Sequence, residues 1–212
     1  MSRRRRTGIM ILCLLLAAVF IALDHSPVNN YWQVLPKSDK QVRASDFRRY
    51  HDKAFKVINV VDGDTIDIDT PDSNQTHTRI RLWGVDTPET KEPNVPVQYF
   101  GPEAAAFTEK LALGKQVRLY LDEVHHTRDK YHRLLAYVQL PDCNFLNELL
   151  ISEGYAYADL RFRHSFYNKY QQLQACARSL KRGLWLNVER EQLPEWLQKE
   201  KPNLLPKSEE SE

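Results

Sequence analysis

Apolar and polar residues alternate along several short stretches of the chain, which is the period of a β-strand with one buried face. The clearest case follows an Asp-Gly turn signal, where Ile66 and Ile68 alternate with two aspartates. Four other stretches show related patterns between clusters of turn-forming residues. The predicted strands are Phe55–Val61, Asp64–Asp69, His77–Val85, Gln116–Leu121 and His132–Leu140.

A helical period replaces the alternation in three places, where apolar residues recur at three- and four-residue spacing. Pro102 and Glu103 suit the first turn of a helix, and Gly114 suits its end. The predicted helices are Gly101–Leu113, Asn144–Glu153 and Phe166–Arg182, with a further short helix beginning near Pro194. Periodicity alone therefore predicts an α+β protein with an antiparallel sheet and a helix inserted before the fourth strand.

An unbroken apolar run from Gly8 to Leu23 follows the basic segment Arg3–Arg6. The run approaches the roughly 17 to 20 residues that a membrane-spanning helix needs. We interpret residues 1–24 as an uncleaved signal anchor, because a cleaved signal would have small residues before the cut and no clean Ala-x-Ala motif is present. A cleaved signal peptide is the open alternative. The basic end is expected to stay in the cytoplasm, so the rest of the chain is membrane-anchored on the far side or secreted.

Composition divides the remaining chain into three parts. Residues 25–53 are polar, with scattered prolines and charges, and we interpret them as a tether between the membrane and the domain. Residues 54–187 contain every predicted strand and the three long helices, so they form the folded domain. Residues 188–212 become rich in proline and glutamate, and they are predicted to be a largely disordered C-terminal tail.

The charge balance limits how this domain can bind nucleic acid. The 212 residues carry a formal net charge of +2, but residues 1–24 contain four arginines and one acid, which leaves the rest at −1. A domain that is not basic overall must bind phosphates through a local patch. Cys143 and Cys176 lie far apart in sequence, so pairing and free thiols both remain open, and no Cys/His spacing indicates zinc.

Carboxylates gather at the ends of two predicted strands. Asp64 has the parity of the apolar residues of its strand, and burying a lone carboxylate on an apolar face is costly. The next strand ends at Asp86-Thr87-Pro88-Glu89, where proline stops the ladder. If the strands pair as a meander, Asp64 and Asp86 can lie together at one end of the sheet. A bound cation would then remove the cost of burial.

This set of residue types suits a hard cation beside a phosphate. Carboxylate and carbonyl oxygens are the ligands that calcium prefers. Arginine binds a phosphate through two parallel hydrogen bonds, and a further carboxylate can position or deprotonate a water. The alternative from the residues alone is a plain Asp-Gly-Asp turn with arginines on solvated strand faces.

Five motifs follow one another in a characteristic order. They are Asp62-Gly63-Asp64-Thr65, Arg81, Asp86-Thr87-Pro88-Glu89, Tyr99-Phe100-Gly101-Pro102-Glu103-Ala104 and Asp129-Lys130-Tyr131-His132-Arg133-Leu134-Leu135-Ala136-Tyr137. In order and approximate spacing, from about Phe55 to Trp185, they resemble the thermonuclease, or staphylococcal nuclease-like, family. The resemblance implies a five-stranded OB-fold β-barrel with three helices, and the activity of a calcium-dependent phosphodiesterase.

The resemblance also implies a set of metal ligands. Asp64 and Asp86 would supply carboxylates to Ca²⁺, and Thr87 would supply its backbone carbonyl. Taken alone, Thr87 indicates nothing.

The catalytic residues implied by the resemblance are two arginines and one glutamate. Arg81 would bind the phosphate, Arg133 would stabilise developing charge, and Glu89 would orient or activate the attacking water. Two alternatives remain open from the residues themselves. Arg81 can instead pair with Asp67 across the sheet, and Arg133 can be an ordinary exposed strand residue.

Substrate contacts are implied less completely. Lys130 and Tyr131 match the loop that contacts phosphate and base in the family. Two base-stacking tyrosines of the family correspond here to Leu160 and Phe162. Phe162 keeps a stacking face, and Tyr157 is expected to supply further stacking.

Two smaller departures are His132, where the family usually has glycine, and a slightly longer loop between the second and third strands. The catalytic side chains are all present. We therefore expect a monomeric nuclease, without a protein partner, that cuts single-stranded DNA and RNA with little sequence preference and leaves 3′-phosphate ends. The alternative is a non-catalytic OB-fold module that binds nucleic acid at a membrane.

Overall fold

The computed structural model describes residues 37–90 and 97–205. The chain divides into two compact units, Met1–Val42 and Arg43–Glu212, and the contacts given below lie within the second. The segment 1–24, predicted to be a signal anchor, lies outside the described residues, as does the first part of the predicted tether. Across the two described ranges, every helix is too short or too polar to cross a membrane.

Five strands close into a barrel, which confirms the predicted α+β class and the five-stranded OB-fold barrel. The strands of the barrel are β1 (Lys53–Asp62), β2 (Thr65–Ile68), β3 (Thr78–Leu82), β5 (Gln116–Tyr120) and β6 (Leu134–Gln139). Neighbouring strands follow the order β1-β2-β3-β6-β5, in which the pair β3–β6 is parallel and the other pairs are antiparallel. The short strands β4 (Val85–Asp86) and β7 (Tyr157–Ala158) pair with each other outside the barrel sheet.

The inward faces of the barrel strands form the main core, with Ile66, Ile80 and Leu134 fully buried. Strand β2 departs from the predicted one-sided pattern, because all four of its residues are buried. The carboxylate of Asp67, on its other face, accepts hydrogen bonds from Asn59 Nδ2 and Arg79 Nε. These bonds offset the cost of burying that charge.

The three predicted long helices and the short helix predicted near Pro194 are present, and the described residues contain one further helix. The helices are α1 (Lys37–Tyr50), α2 (Gly101–Ala112), α3 (Leu146–Ser152), α4 (Tyr167–Ser179) and α5 (Glu195–Glu200). Two 3₁₀ turns, Gly183–Leu186 and Arg190–Gln192, lie between α4 and α5. All of α1 falls in the segment 25–53 that we predicted to be a tether, and α5 falls in a tail that we predicted to be largely disordered apart from a short helix near Pro194.

The predicted tether is wrong for the residues from Arg43 onward. Tyr50 is fully buried in the main core, and its hydroxyl lies 3.2 Å from Thr78 Oγ1. Asp46 is also buried, and it accepts hydrogen bonds from Thr127 and Arg128. The polar composition of this segment hid the packing, because its main anchors are one aromatic residue and one buried ion pair.

The short helix predicted to begin near Pro194 is confirmed as α5, but the segment around it, part of a tail predicted to be largely disordered, packs on the domain. Leu193 and Leu197 are buried in a second apolar cluster together with Leu184 and Trp185. Few apolar residues occur in this segment, but they are spaced so that each meets the same cluster. Residues 206–212 lie outside the described residues.

The third strand was predicted to run to Val85, but β3 ends at Leu82 and the chain bends before β4 begins. The bend requires Gly84, whose φ is +74° and whose Cβ, if present, would lie 2.5 Å from His164 Nε2. Both the positive φ and the close approach exclude a side chain. The bend turns Asp86 toward the barrel end that carries Asp64.

The pairing of the two cysteines outside the N-terminal apolar run was left open by the sequence. Cys143 and Cys176 are both exposed free thiols.

Candidate active site

The turn between β1 and β2 places Asp64 at one end of the barrel. A Cβ on Gly63 would lie 2.8 Å from Thr87 Cγ2, so the absence of a side chain lets the two segments touch. The Gly63 carbonyl accepts a hydrogen bond of 2.6 Å from Thr108 Oγ1 on α2. Asp62 accepts a hydrogen bond of 2.9 Å from Thr90 Oγ1. The turn is therefore fixed to the segment that carries Thr87 and Glu89.

Asp64 is a buried carboxylate, with 6% of its surface exposed. Its Oδ1 accepts a hydrogen bond of 3.0 Å from Thr65 Oγ1, and its Oδ2 accepts one of 2.9 Å from the Thr87 amide. Arg81 Nη1 forms an ion pair with the same Oδ2. Three groups thus stabilise the negative charge that the strand pattern predicted to be buried.

Arg81 joins the two carboxylates that the sequence pairs as metal ligands. Its Nη1 contacts Asp64, and its Nη2 donates a hydrogen bond of 2.7 Å to Asp86 Oδ1. The alternative pairing of Arg81 with Asp67 is wrong, because Asp67 lies opposite Arg79 in the β2–β3 register and binds that residue instead. Thr65 lies opposite Arg81, which directs this arginine toward the end of the barrel.

The surroundings of Asp86 include two residues to which sequence analysis assigned no role. Trp196 on α5 donates a hydrogen bond of 2.8 Å from Nε1 to Asp86 Oδ2. Arg161 Nη2 lies 3.5 Å from Asp86 Oδ1 and is itself held by a bidentate ion pair with Asp159. Both contacts join residues far apart in the chain, and no local sequence signal marks either of them.

The two predicted catalytic arginines lie close enough to repel each other. Burial lowers the pKa of Arg81; the nearby Asp86 carboxylate opposes this effect and the positive charge of Arg133 adds to it. Arg133 precedes β6, and its Nε donates a hydrogen bond of 2.6 Å to Asp129 Oδ2. It is therefore held by the loop before the strand and is not an ordinary strand residue. An anion between two guanidinium groups would relieve their repulsion.

Glu89 lies in a segment whose backbone is fixed from two sides. Its amide donates a hydrogen bond of 3.0 Å to Gln98 Oε1, and its carbonyl accepts one of 2.9 Å from the Gln98 amide. A Cβ on Gly101, at the start of α2, would lie 3.1 Å from the same carbonyl oxygen. Gln98 is a supporting residue that the sequence did not identify, since a lone glutamine in a loop carries no signal.

An open cavity of about 740 Å³ lies over this end of the barrel. Five of the predicted residues line it. Asp86 is outside the lining, but it accepts a hydrogen bond from Arg81, which is part of the lining. The predicted residues in its lining are Asp64, Arg81, Glu89, Tyr131 and Arg133. Carboxylates and guanidinium groups thus share one solvent-accessible space, as phosphate chemistry requires.

The donors at this cavity fit a hard cation. Asp64 and Asp86 are both within reach of a single guanidinium group, and the buried Thr87 Oγ1 has no hydrogen-bond partner among the described residues. Within the described ranges no set of three His, Cys, Asp or Glu side chains is grouped to hold a metal. A cation here would therefore depend on two carboxylates together with carbonyl, hydroxyl or water oxygens, all of which are oxygen donors of the type calcium prefers.

The predicted substrate contacts divide into exposed and buried residues. Lys130 and Tyr131 lie on the loop before β6, and 65% of the Tyr131 surface is exposed. Phe162 is 53% exposed and stacks on Trp83 with ring centroids 6.2 Å apart. The prediction for Tyr157 is wrong: it is 1% exposed and packs edge-on against Trp185, so it has no face for a base. Its place in β7 explains the burial.

Comparison with known proteins identifies the family. A family model described as "Staphylococcal nuclease homologue" matches residues 79–187. The chain is 41% identical to a thermonuclease of Staphylococcus hyicus over 138 residues, 65% of this chain and 78% of that one. It is 47% identical to a thermonuclease of Staphylococcus intermedius over 50% of this chain and 60% of that one. It is 34% identical to Endonuclease YncB of Bacillus subtilis over 64% and 66%. The chain belongs to the staphylococcal nuclease family.

Proposed function

We propose that this chain is a calcium-dependent nuclease that cuts single-stranded DNA and RNA with little sequence preference and leaves 3′-phosphate ends. Family membership makes it a nuclease, a hydrolase of phosphodiester bonds. The observation that supports the finer proposal is the shared cavity, in which a buried carboxylate, two arginines and a glutamate meet.

The proposed calcium ligands are the carboxylates of Asp64 and Asp86 and the backbone carbonyl of Thr87. Bound there, Ca²⁺ would polarise a phosphoryl oxygen and neutralise charge that develops in the transition state. The burial of Asp64 and its ion pair with Arg81 support this proposal, because a buried carboxylate favours a positively charged partner.

The protein's own side chains supply binding and proton handling. Arg81 and Arg133 donate hydrogen bonds to the non-bridging oxygens of the phosphate, and they stabilise the extra charge of the transition state. Glu89 accepts a hydrogen bond from the attacking water and takes up its proton as the water attacks phosphorus. Bond cleavage on the 5′-oxygen side then leaves the phosphate on the 3′ end.

A preference for unpaired strands is supported by the exposed aromatic rings. Tyr131 lies beside the cavity with Lys130 Nζ 4.9 Å from its ring centroid, and Phe162 presents a second exposed ring. Stacking on such rings is possible for any base, so it gives affinity without sequence preference.

Residues 1–24 are proposed to anchor this domain at a membrane or to direct its secretion. The folded unit is proposed to act as a monomer.

Replacing Glu89 with glutamine tests the proposal. With the purified full-length chain, cleavage of single-stranded DNA should require calcium and stop when a chelator is added. Glu89→Gln should lower kcat at least about 100-fold and leave DNA binding unchanged, because it removes a proton acceptor and keeps the shape. Glu103→Gln, at an exposed position of α2, is the matched control and should keep full activity. Unchanged cleavage by Glu89→Gln would disprove its role, and DNA binding without cleavage by the wild type would favour a binding module.

A further inference from the structure

We propose that Trp196 is a positioning residue for the nuclease site, and that the C-terminal helix α5 is part of the calcium-binding apparatus. The indole N–H holds Asp86 Oδ2, and this orients the carboxylate so that its other oxygen faces Asp64. The inference rests on the proposed calcium dependence, and it assigns a role to a segment beyond the residues 79–187 that match the family.

The two oxygens of Asp86 have different partners. Oδ1 receives the hydrogen bond from Arg81, whose guanidinium group also contacts Asp64. Oδ1 is therefore the oxygen on the Asp64 side, where a shared cation would bind. Trp196 Nε1 contacts Oδ2 at 2.8 Å. The indole thus occupies the outer oxygen and leaves the inner one for a positive partner.

An indole suits this position because it is a donor only. It can hydrogen-bond a carboxylate, but it adds no charge that would compete with a cation. Donors that hold the free oxygen of a ligating carboxylate fix its orientation, and losing one typically weakens metal binding by about 10- to 100-fold. Trp196 is such a donor, because its uncharged N–H is bonded to Asp86. Among the described residues, Asp86 is the one carboxylate that accepts a hydrogen bond from an indole.

Arg161 links the same tryptophan to the site. Its guanidinium carbon lies 4.8 Å from the centroid of the Trp196 ring, and its Nη2 lies 3.5 Å from Asp86 Oδ1. The ion pair with Asp159 holds this guanidinium group in place. Trp196 is therefore fixed by an edge contact to Asp86 and a face contact to Arg161, so its orientation depends on both.

Helix α5 has a separate anchor, which makes a clean test possible. Leu197 is fully buried and Leu193 is 4% exposed, while Trp196 itself is half-buried. Gln198 Nε2 donates a hydrogen bond of 2.7 Å to the Leu193 carbonyl. Removing only the indole N–H should therefore leave the helix docked.

Trp185 provides a matched control in the same region. Its indole packs edge-on against Tyr157 at 5.4 Å, and its Nε1 has no hydrogen-bond partner among the described residues. Trp185→Phe and Trp196→Phe make the same chemical change in two neighbouring parts of the fold. Only the second removes a donor from a proposed calcium ligand.

The test is calcium titration of the full-length chain by calorimetry, followed by cleavage assays across calcium concentrations. Trp196→Phe should weaken calcium binding by about 10- to 100-fold. It should raise the calcium needed for half-maximal cleavage by the same factor, with kcat recovering at saturating calcium. Trp196→His, which keeps a ring N–H, should bind calcium with intermediate affinity. Trp185→Phe should bind like the wild type even if its melting temperature falls.

Each outcome has a distinct meaning. Unchanged calcium affinity in Trp196→Phe, with a wild type that binds calcium, would overturn the positioning role alone. Tighter binding would overturn it too, since it would mean that the indole competes with the cation. A wild type that cleaves DNA without binding calcium would overturn both this inference and the proposed function. Equal losses in Trp185→Phe and Trp196→Phe would reduce the effect to general packing.

Discussion

Two of the buried polar clusters among the described residues stabilise charge in different ways. The site cluster consists of Asp64, Arg81 and Asp86, and its carboxylates share one guanidinium group. The inner cluster consists of Asp122, Tyr137 and His164. In it, Asp122 accepts hydrogen bonds of 2.7 Å from the Tyr137 hydroxyl and 2.9 Å from the Val124 amide, and another from the Ser165 amide.

The pKa values of the two clusters shift according to this difference. Burial alone would raise the pKa of Asp122, but hydrogen bonds from His125, the Ser165 amide and Tyr137 outweigh it and hold the pKa well below its usual range. Burial lowers the pKa of Arg81, and its ion pair with Asp86 does not reverse that shift. The charge of Asp122 is thus fully stabilised by its own hydrogen bonds, whereas the site cluster keeps the charge of Arg81 at a cost that an added ligand can offset. A functional cluster is recognisable by charges that its own surroundings do not fully stabilise.

The largest effect is expected from removing the guanidinium group that the two carboxylates of the site cluster share. Arg81→Met should lower the free energy of unfolding by about 3 kcal/mol without calcium, because two carboxylates lose their partner. Added calcium should restore much of this loss by binding only the folded state, while cleavage stays at least about 100-fold reduced. Urea denaturation with and without calcium measures the first effect.

Asp122→Asn is the control for the inner cluster. It removes a carboxylate that accepts several hydrogen bonds, so stability should also fall, but calcium should restore nothing. If both variants respond equally to calcium, the distinction between the two clusters fails.

A smaller effect should appear when the inner cluster is titrated with acid. Burial lowers the pKa of His164 to about 4 from 6.5, so the folded state keeps it neutral while the unfolded state binds a proton. Stability should therefore fall as the pH drops below 6.5, approaching a loss of about 3 kcal/mol near pH 4. His164→Asn keeps an acceptor near Nδ1 and removes the titration. A pH profile of unfolding free energy that is identical in the two proteins would contradict the assignment.

The smallest effect is expected from a residue that holds a positive φ angle beside the site. Gly84, which packs against His164 of the inner cluster, has φ +74°, whereas His132 in the loop beside the site has φ +63°. A residue with a Cβ is destabilised by about 1 to 2 kcal/mol in this conformation. Glycine avoids that strain, but it loses more backbone entropy on folding, which cancels part of the gain. His132→Gly should therefore raise the free energy of unfolding by about 0.5 to 1 kcal/mol. His132→Ala keeps the Cβ and should gain nothing, and an equal gain in both variants, measured by urea denaturation, would exclude relief of strain.

The sequence predicted those features that depend on local pattern. Short apolar or alternating runs between turn signals located all five barrel strands, and the parity of Asp64 with its apolar neighbours predicted a buried carboxylate. The position where β3 ends was not predictable, because it depends on the approach of His164 to Gly84. Tyr157 was misassigned for a related reason, since its burial follows from the pairing of β7 with β4 and from packing against Trp185.

The segments outside the predicted domain were harder to interpret. Residues 43–50 and 188–200 have few apolar positions, so composition indicated no packing against the domain, although a short helix was predicted near Pro194. Each segment is nevertheless anchored by one or two buried side chains. They pack into clusters formed mainly by residues of the predicted domain, and they are Tyr50 in the first segment and Leu193 and Leu197 in the second. The average composition of a segment does not reveal one or two isolated apolar residues that pack against the rest of the fold.

The bond from Trp196 to Asp86 joins residues 110 positions apart. Contacts across such separations form late, because a long loop must close before they are gained. A chain emerging from the ribosome would therefore carry both carboxylates and their arginine well before the tryptophan that orients one of them is made. On our proposal, full affinity for calcium arises only after residue 196 has been made and its indole has reached Asp86, so a chain that has not yet reached that point binds calcium weakly.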